Sequence, residues 1–523
     1  MLAVALLSMG WLIASFLLYR NLILDDPYIT FRYGRNFLDG FGFRYNHTGP
    51  RVEGFTSPLW VFLSAAALKL NVHPFVLAKL TATLATLLAG AVLVHVIKKN
   101  GASFTGLLVA IYLFFTNPDV AYYAFSGMEH CLLLLVISLA LLMLTREDKS
   151  VIERLVNCAL LFATAFVLRP ESLVFFAALF LCALINASEW KALGVRGFFQ
   201  SHFLKSITTL AVILGFFGFR LYYFGSMLPN TYYAKHADHS LFNGLYQGVA
   251  YIGSLNGVWF VTLTLAGLSY FHSEKPHTPA RNFAGLMIVM IVAYVVKAGG
   301  DDTSAFLGGR LMLPLLPCCV FLIGDAFKTQ KRAHHLGICL FFAGVTLPAI
   351  LITTKTYLGK NFDLTSLSSI ADLKRSVFSG NQWEEEHPFS TYILQKMPKT
   401  SVIAVPWAGR IPYETQLATI DLLGLNDAHI ARGPRRQSGI DVKYDEDYVL
   451  RQKPDLICEN INLTHITSIE QLRAMSDKDL YAIGGFKLGV RSLLRHPFFV
   501  SHYEIDREGS NAINAGCFRR ITP

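Results

Sequence analysis

The chain has 523 residues, 53% of them hydrophobic and 16% charged, with a mean hydropathy of +0.42. Soluble domains carry about 25% charged residues, so the composition excludes an ordinary soluble protein and predicts an integral membrane protein with length left over for a soluble part. The formal net charge of +10 does not point to nucleic acid, because the basic residues are scattered in short loops between apolar runs, as membrane topology requires.

Apolar runs lie near 2–20, 75–97, 103–117, 129–145, 152–168, 171–187, 203–224, 247–271, 281–297, 307–327 and 335–353. They predict a polytopic α-helical membrane protein of about eleven spans. No Lys or Arg precedes residue 2 and no small-x-small site follows residue 20, so the first run reads as a retained helix, not a cleaved leader. Segment 58–70 is apolar too. At 1.5 Å per residue it reaches only about 20 Å, short of a hydrocarbon core of roughly 30 Å. With 58–70 lying flat, Lys98, Lys99, Arg146, Lys149, Arg154 and the basic residues of 191–205, 275–281 and 328–332 share one side. The opposite short loops then hold little beyond Arg169, Lys235 and Arg310. The positive-inside rule therefore puts the N-terminus in the cytoplasm. Loop 21–74 and the tail from about 355 would face outward from a cytoplasmic membrane. The expected domains are a transmembrane domain at 1–354 and a soluble α/β domain at 355–523.

The first outer loop opens on Asp25-Asp26. Two carboxylates at a membrane boundary are costly to desolvate and usually serve a pathway, a ligand or a reaction. Asp25 suits a general base whose pKa is raised by its surroundings. Asp26 suits the N-cap of a short amphipathic helix over 27–39, with Pro27 at its first position and Gly40 at its stop. Alternatively, the pair simply balances Arg32 or Arg35. Arg51–Thr56 reads as a turn-rich link into 58–70.

Further along, Arg169-Pro170-Glu171 offers a cation for a phosphate or a local ion pair. The aromatic loop from Arg220 to Lys235 offers Lys235 as a point charge for a lipid-borne phosphate, or an interfacial aromatic belt with a snorkelling lysine. Arg310 follows Gly299-Gly300-Asp301-Asp302. It suits a phosphate ligand or a partner of Asp301 or Asp302, since a lone cation there would be costly. The double Asp leaves a divalent cation open, as a weak signal without a nearby His; no metal ligand set is assigned. Six cysteines lie in apolar runs as core residues. Cys458 and Cys517 lie in the tail and can pair if it faces an oxidising compartment. In that tail, 401–406, 418–421 and 455–458 read as short strands and 445–452 as a helix. P-loop, GxGxxG, HExxH and GxSxG motifs are all missing from the sequence.

Asp25–Tyr33 and Arg51–Trp60 together resemble the opening of GT-C membrane glycosyltransferases. The likeness is greatest to the actinobacterial terminal arabinofuranosyltransferases and related pilin arabinosyltransferases. Leu228–Lys235, Ile420–Asp427 and Arg310 followed by Leu313–Pro317 are similar to the same family, so the resemblance runs from residue 24 to about 457. It implies a polyprenyl-phosphate sugar donor, a glycan or protein acceptor in the cell envelope, transfer outside the membrane, and inversion at the anomeric carbon. By position, Asp25 would be the base and Asp26 a positioning group. Lys235, Arg310 and Arg169 are the candidates for the leaving phosphate. The competing class is a transporter or flippase for lipid-linked sugars, which would place charge at mid-membrane and show repeats.

Overall fold

In the tail, alternate residues of each strand belong to different cores, and this alternation defines the architecture there. Ile403 and Val405 of β1 (Val402–Val405) and Leu456 and Cys458 of β3 (Leu456–Glu459) pack on one face. Ala404, Ile457 and Phe518 pack on the other. Such a period of two is what a strand presents to layers on both sides. The computed structural model describes residues 22–235, 241–255, 257–271, 278–301, 309–326, 382–434, 443–483 and 488–521, together with Gly10 and Tyr19. With β2 (Ala418–Asp421), β4 (Tyr503–Ile505) and β5 (Gly516–Arg520), the sheet runs β2-β1-β3-β5-β4. The β1–β2 and β1–β3 pairs are parallel, and β3–β5 and β4–β5 are antiparallel. The expected strands and the helix, here Glu446–Arg451 capped by Asp445, are all present. β4 and β5 complete the sheet. Cys458 and Cys517 face each other across β3 and β5 and form a disulfide.

The chain divides into two compact units. One takes Met1–Leu22, Val76–Gly218 and Ser240–Val377; the other takes Ile23–Phe75, Phe219–His239 and Phe378–Pro523. The second unit therefore joins the first outer loop, the aromatic loop and the tail. The expected boundary at 354/355 lies outside the described residues.

Among the described residues, five helices are long and apolar enough to cross a membrane, or seven with two bent pairs counted as spans. They include Pro74–Lys99, Val151–Leu168, Gln200–Phe224, Pro279–Ala298 and Gly309–Ala326. Shorter apolar helices cover His130–Leu144 and Pro170–Ile185. The chain is a multi-pass membrane protein. The expected spans at 2–20 and 335–353 lie almost wholly outside the described residues, so the count of eleven is not tested.

In the second unit, α1 (Asp26–Leu38) and α2 (Pro58–Lys69) pack closely. Gly34 makes this possible, since a Cβ there would collide with the Ser64 hydroxyl. Gly40, at φ +87°, ends α1 in the left-handed conformation that glycine tolerates best. Ile29 and Tyr33 of α1 enter a shared core with Tyr45, Phe55, Val61 and Ala408. Phe37, four residues beyond Tyr33 on the same face of the amphipathic helix, is 37% exposed.

Candidate active site

Asp25 sits at the N-cap of α1, but its side chain caps nothing in its own helix. The expectation that Asp26 caps a helix beginning at Pro27 is corrected: the helix begins at Asp26. The Asp25 carboxylate accepts instead from two consecutive backbone groups, the Gly409 N–H at 3.0 Å and the Arg410 N–H at 2.5 Å. It is 6% exposed. Burial pushes its pKa up to about 7 against those two N–H bonds, and the neighbouring Asp26 and Asp421 charges push the same way. Each carboxylate oxygen retains another lone pair for an incoming hydroxyl. A pKa near neutrality is what a general base requires.

Arg32 and Arg35 go elsewhere than to the two aspartates. Arg32, 1% exposed, donates to the carbonyls of Tyr45 at 2.6 Å, Leu417 at 2.8 Å and Pro412, and to Asn46 Oδ1 at 3.0 Å. Its guanidinium also lies over the Tyr45 ring. Arg35 donates to the Tyr413 carbonyl and hydroxyl. Both arginines thus tie α1 to α3 (Arg410–Thr415), the short helix whose first N–H groups hold Asp25. The simple charge-balance alternative for the aspartate pair is thereby overturned for these two partners.

Four of the five segments that carry the family resemblance meet within this unit. The Tyr33 hydroxyl donates to the Val52 carbonyl at 2.6 Å and lies 3.2 Å from Asn426 Oδ1, while Gly54 N–H donates back to Tyr33 at 3.1 Å. Asn426 is held in turn by Asp421, which accepts from its backbone and side-chain N–H groups. Asn230 donates its backbone N–H to the Glu53 carbonyl at 2.8 Å and its amide to the carbonyls of Gly424 at 2.7 Å and Leu425 at 3.0 Å. The link Arg51–Thr56 is therefore mostly buried, with Val52, Glu53 and Phe55 inside.

Sequence reasoning passed over the ion pair at the heart of this junction. Glu53 and Arg220 are 3% and 0% exposed and meet at 3.0 Å. Burial pushes the Glu53 carboxyl up to about 7, with Arg220 opposing. The available signal was Arg220 itself, a charge inside the apolar run 203–224. Lys443 was missed too; it is buried and donates to the carbonyls of Tyr233 at 2.7 Å and Ala431 at 2.6 Å. Lys235 closes the helix Asn230–Lys235 and is half-buried.

Arg169 and Arg310 belong to the other unit. Arg169 meets Glu129 at 2.6 Å and also Glu171; Arg310 chelates the Asp301 carboxylate. The two guanidiniums lie within each other's field. The local pairings considered from sequence thus exist, and Glu129, forty residues upstream, is the addition. Asp302 lies outside the described residues. Among the described residues no group of three or more His, Cys, Asp or Glu is placed to hold a metal ion.

The structure superposes on that of ArnT from Cupriavidus metallidurans in the apo state with a TM-score of 0.57 at 14% identity, covering 88% of this chain and 92% of that one. Against ArnT bound to undecaprenyl phosphate the TM-score is 0.56, again at 14% identity, with 93% and 94% covered. The fold is of the GT-C type. Within this GT-C chain, residues 377–505 match a family described as Domain of unknown function (DUF8728). The chain is also similar to a terminal beta-(1->2)-arabinofuranosyltransferase of Corynebacterium glutamicum, 27% identical over an alignment of 340 positions that covers 57% of this chain and 47% of the relative. The matched stretch thus spans about half the length of that relative.

Proposed function

We propose that the chain is an inverting glycosyltransferase. It takes a sugar from a polyprenyl phosphate, a pentose such as arabinofuranose, and transfers it to a cell-envelope glycan or protein. One observation carries this reading. Asp25 is buried, oriented by two N–H donors and pushed up to about 7, and it opens one of the four family-like segments that meet within its unit. In the reaction an acceptor hydroxyl oxygen attacks the anomeric carbon as the bond to the phosphate oxygen breaks. The hydroxyl proton passes to Asp25, and polyprenyl phosphate departs. No nucleotide is required, because the lipid phosphate is itself the leaving group.

Asp26 is proposed to position Asp25 and the acceptor, and Lys235 to meet the leaving phosphate as a point charge. Arg169 and Arg310 already hold carboxylates, so to act as phosphate ligands they would exchange a carboxylate for the phosphate. The Cys458–Cys517 disulfide supports placing the tail on the oxidising, outer side of a cytoplasmic membrane. The test is Asp25→Asn in purified protein supplied with a polyprenyl-phosphoryl pentose and envelope glycan. Loss of the base predicts a fall in turnover of about 10²–10⁴-fold. Turnover near wild type in a variant that melts normally refutes the assignment.

A further inference from the structure

Among the contacts that the matched region 377–505 makes with the first outer loop, residues 409–410 meet the Asp25 carboxylate itself. We propose that Gly409 and Arg410 are positioning residues for Asp25: their backbone N–H groups hold both carboxylate oxygens, so this tail segment sets the orientation and the protonation of the base. The inference rests on the reading of Asp25 as the base.

Several features make this more than a chance contact. The two donors are consecutive and each takes a different oxygen, which fixes the plane of the carboxylate. Gly409 is in van der Waals confinement: a Cβ there would run into the Asp25 carbonyl oxygen, Oδ1 and Cγ. Glycine alone lets the backbone approach this closely. The clamp is also braced from below. Arg32 binds the carbonyls of Pro412 and Leu417, one on each side of the end of α3, and the Tyr45 hydroxyl donates to the Ala408 carbonyl at 2.6 Å. A guanidinium buried without a carboxylate partner is an unusual brace, and all of its hydrogen bonds go to Tyr45 and Asn46 and to the Pro412 and Leu417 carbonyls. Hydrogen bonds to a carboxylate favour its ionised form, so the clamp opposes burial. The other charged or titratable groups that face Asp25 are Asp26 on its own segment, Asp421 at the end of β2, and Tyr45.

The test is the pH dependence of kcat/KM, with a polyprenyl-phosphoryl pentose as donor, for the full-length protein and its variants. Gly409→Ala pushes the clamp off the carboxylate. Weakening N–H bonds to the ionised form raises the pKa of Asp25, so the acidic limb of the profile moves to higher pH, by about one unit. Activity near pH 6 falls about tenfold and recovers as pH rises. A second pair of variants stands independently should Gly409→Ala fail to fold. Arg410→Pro deletes one donor at a first helical position, where proline fits, whereas Arg410→Ala keeps the N–H. The limb moves in Arg410→Pro more than in Arg410→Ala. If activity drops by the same factor at every pH, or if both Arg410 variants move the limb equally, the clamp has no hold on the base and the inference fails. That result is distinct from failure of the base itself, which Asp25→Asn reports by retaining turnover.

Discussion

Replacing Arg220 by Leu leaves the buried Glu53 carboxyl without its cation, and the structure says how large the effect is and at which pH it emerges. In the native protein Glu53 is already pushed up to about 7 from an ordinary value near 4.5. The sign is that of a group raised on folding. It does not disfavour the fold below its unfolded pKa, and stability is lost as pH rises from there to the folded pKa. Above about 7 the native protein loses nothing further, because Glu53 is ionised both folded and unfolded. Without Arg220, Glu53 Oε1 loses its partner and Oε2 has none in the native structure either, so burial acts unopposed and the folded carboxyl is expected to hold its proton across the alkaline range of the melts. Each pH unit above 7 then subtracts about 1.4 kcal/mol from the variant alone. The gap between variant and wild type widens by roughly 3 kcal/mol from pH 7 to pH 9. For a unit of about 200 residues that is roughly 5–10 °C of melting temperature. Thermal melts in detergent at pH 7, 8 and 9 read it directly. The double variant Glu53→Gln/Arg220→Leu has no titrating group left and shows a constant gap. A gap in the single variant that is the same at pH 7 and pH 9 refutes the argument.

Two further outcomes follow from the packing. The disulfide links residues 59 apart in sequence, so loop-closure entropy assigns it about 4 kcal/mol; the Cys458→Ala/Cys517→Ala variant is expected to melt roughly 10 °C lower, and a drop below about 2 °C rejects that assignment. Gly54→Ala drives a Cβ into the Asn426 amide oxygen and the Leu425 carbonyl, for an expected loss of about 1–3 kcal/mol. Adding Asn426→Ala relieves the first of these collisions, and a double-variant cycle with no coupling would falsify the contact.

What could be read from the sequence and what could not divide along one physical line, the distance along the chain over which the deciding interaction acts. The helix at 26–38 was legible to within a residue because Pro27, Gly40 and the apolar face are local signals. The one error there, Asp26 for Asp25 at the N-cap, has a non-local cause: the Asp25 side chain is drawn away by N–H groups 384 and 385 residues downstream. Strands β1, β2 and β3 were legible as apolar runs. β4 and β5 carry Glu504, Arg519 and Arg520 and take their strand form from pairing with β3 and with each other. The Arg169–Glu171 and Arg310–Asp301 pairings fell within ten residues and were among the options weighed. Glu129, forty residues from Arg169, was not. Arg32 is the sharpest instance. From sequence it was only a partner for an aspartate. In the fold it is 1% exposed, and its bonds run to carbonyls supplied from both ends of the chain. A charge buried this way has no sequence signature, since its partners are backbone oxygens that every residue carries. Only the convergence of the two loops makes it a brace for Asp25, and the candidate base therefore depends on residues that no local motif contains.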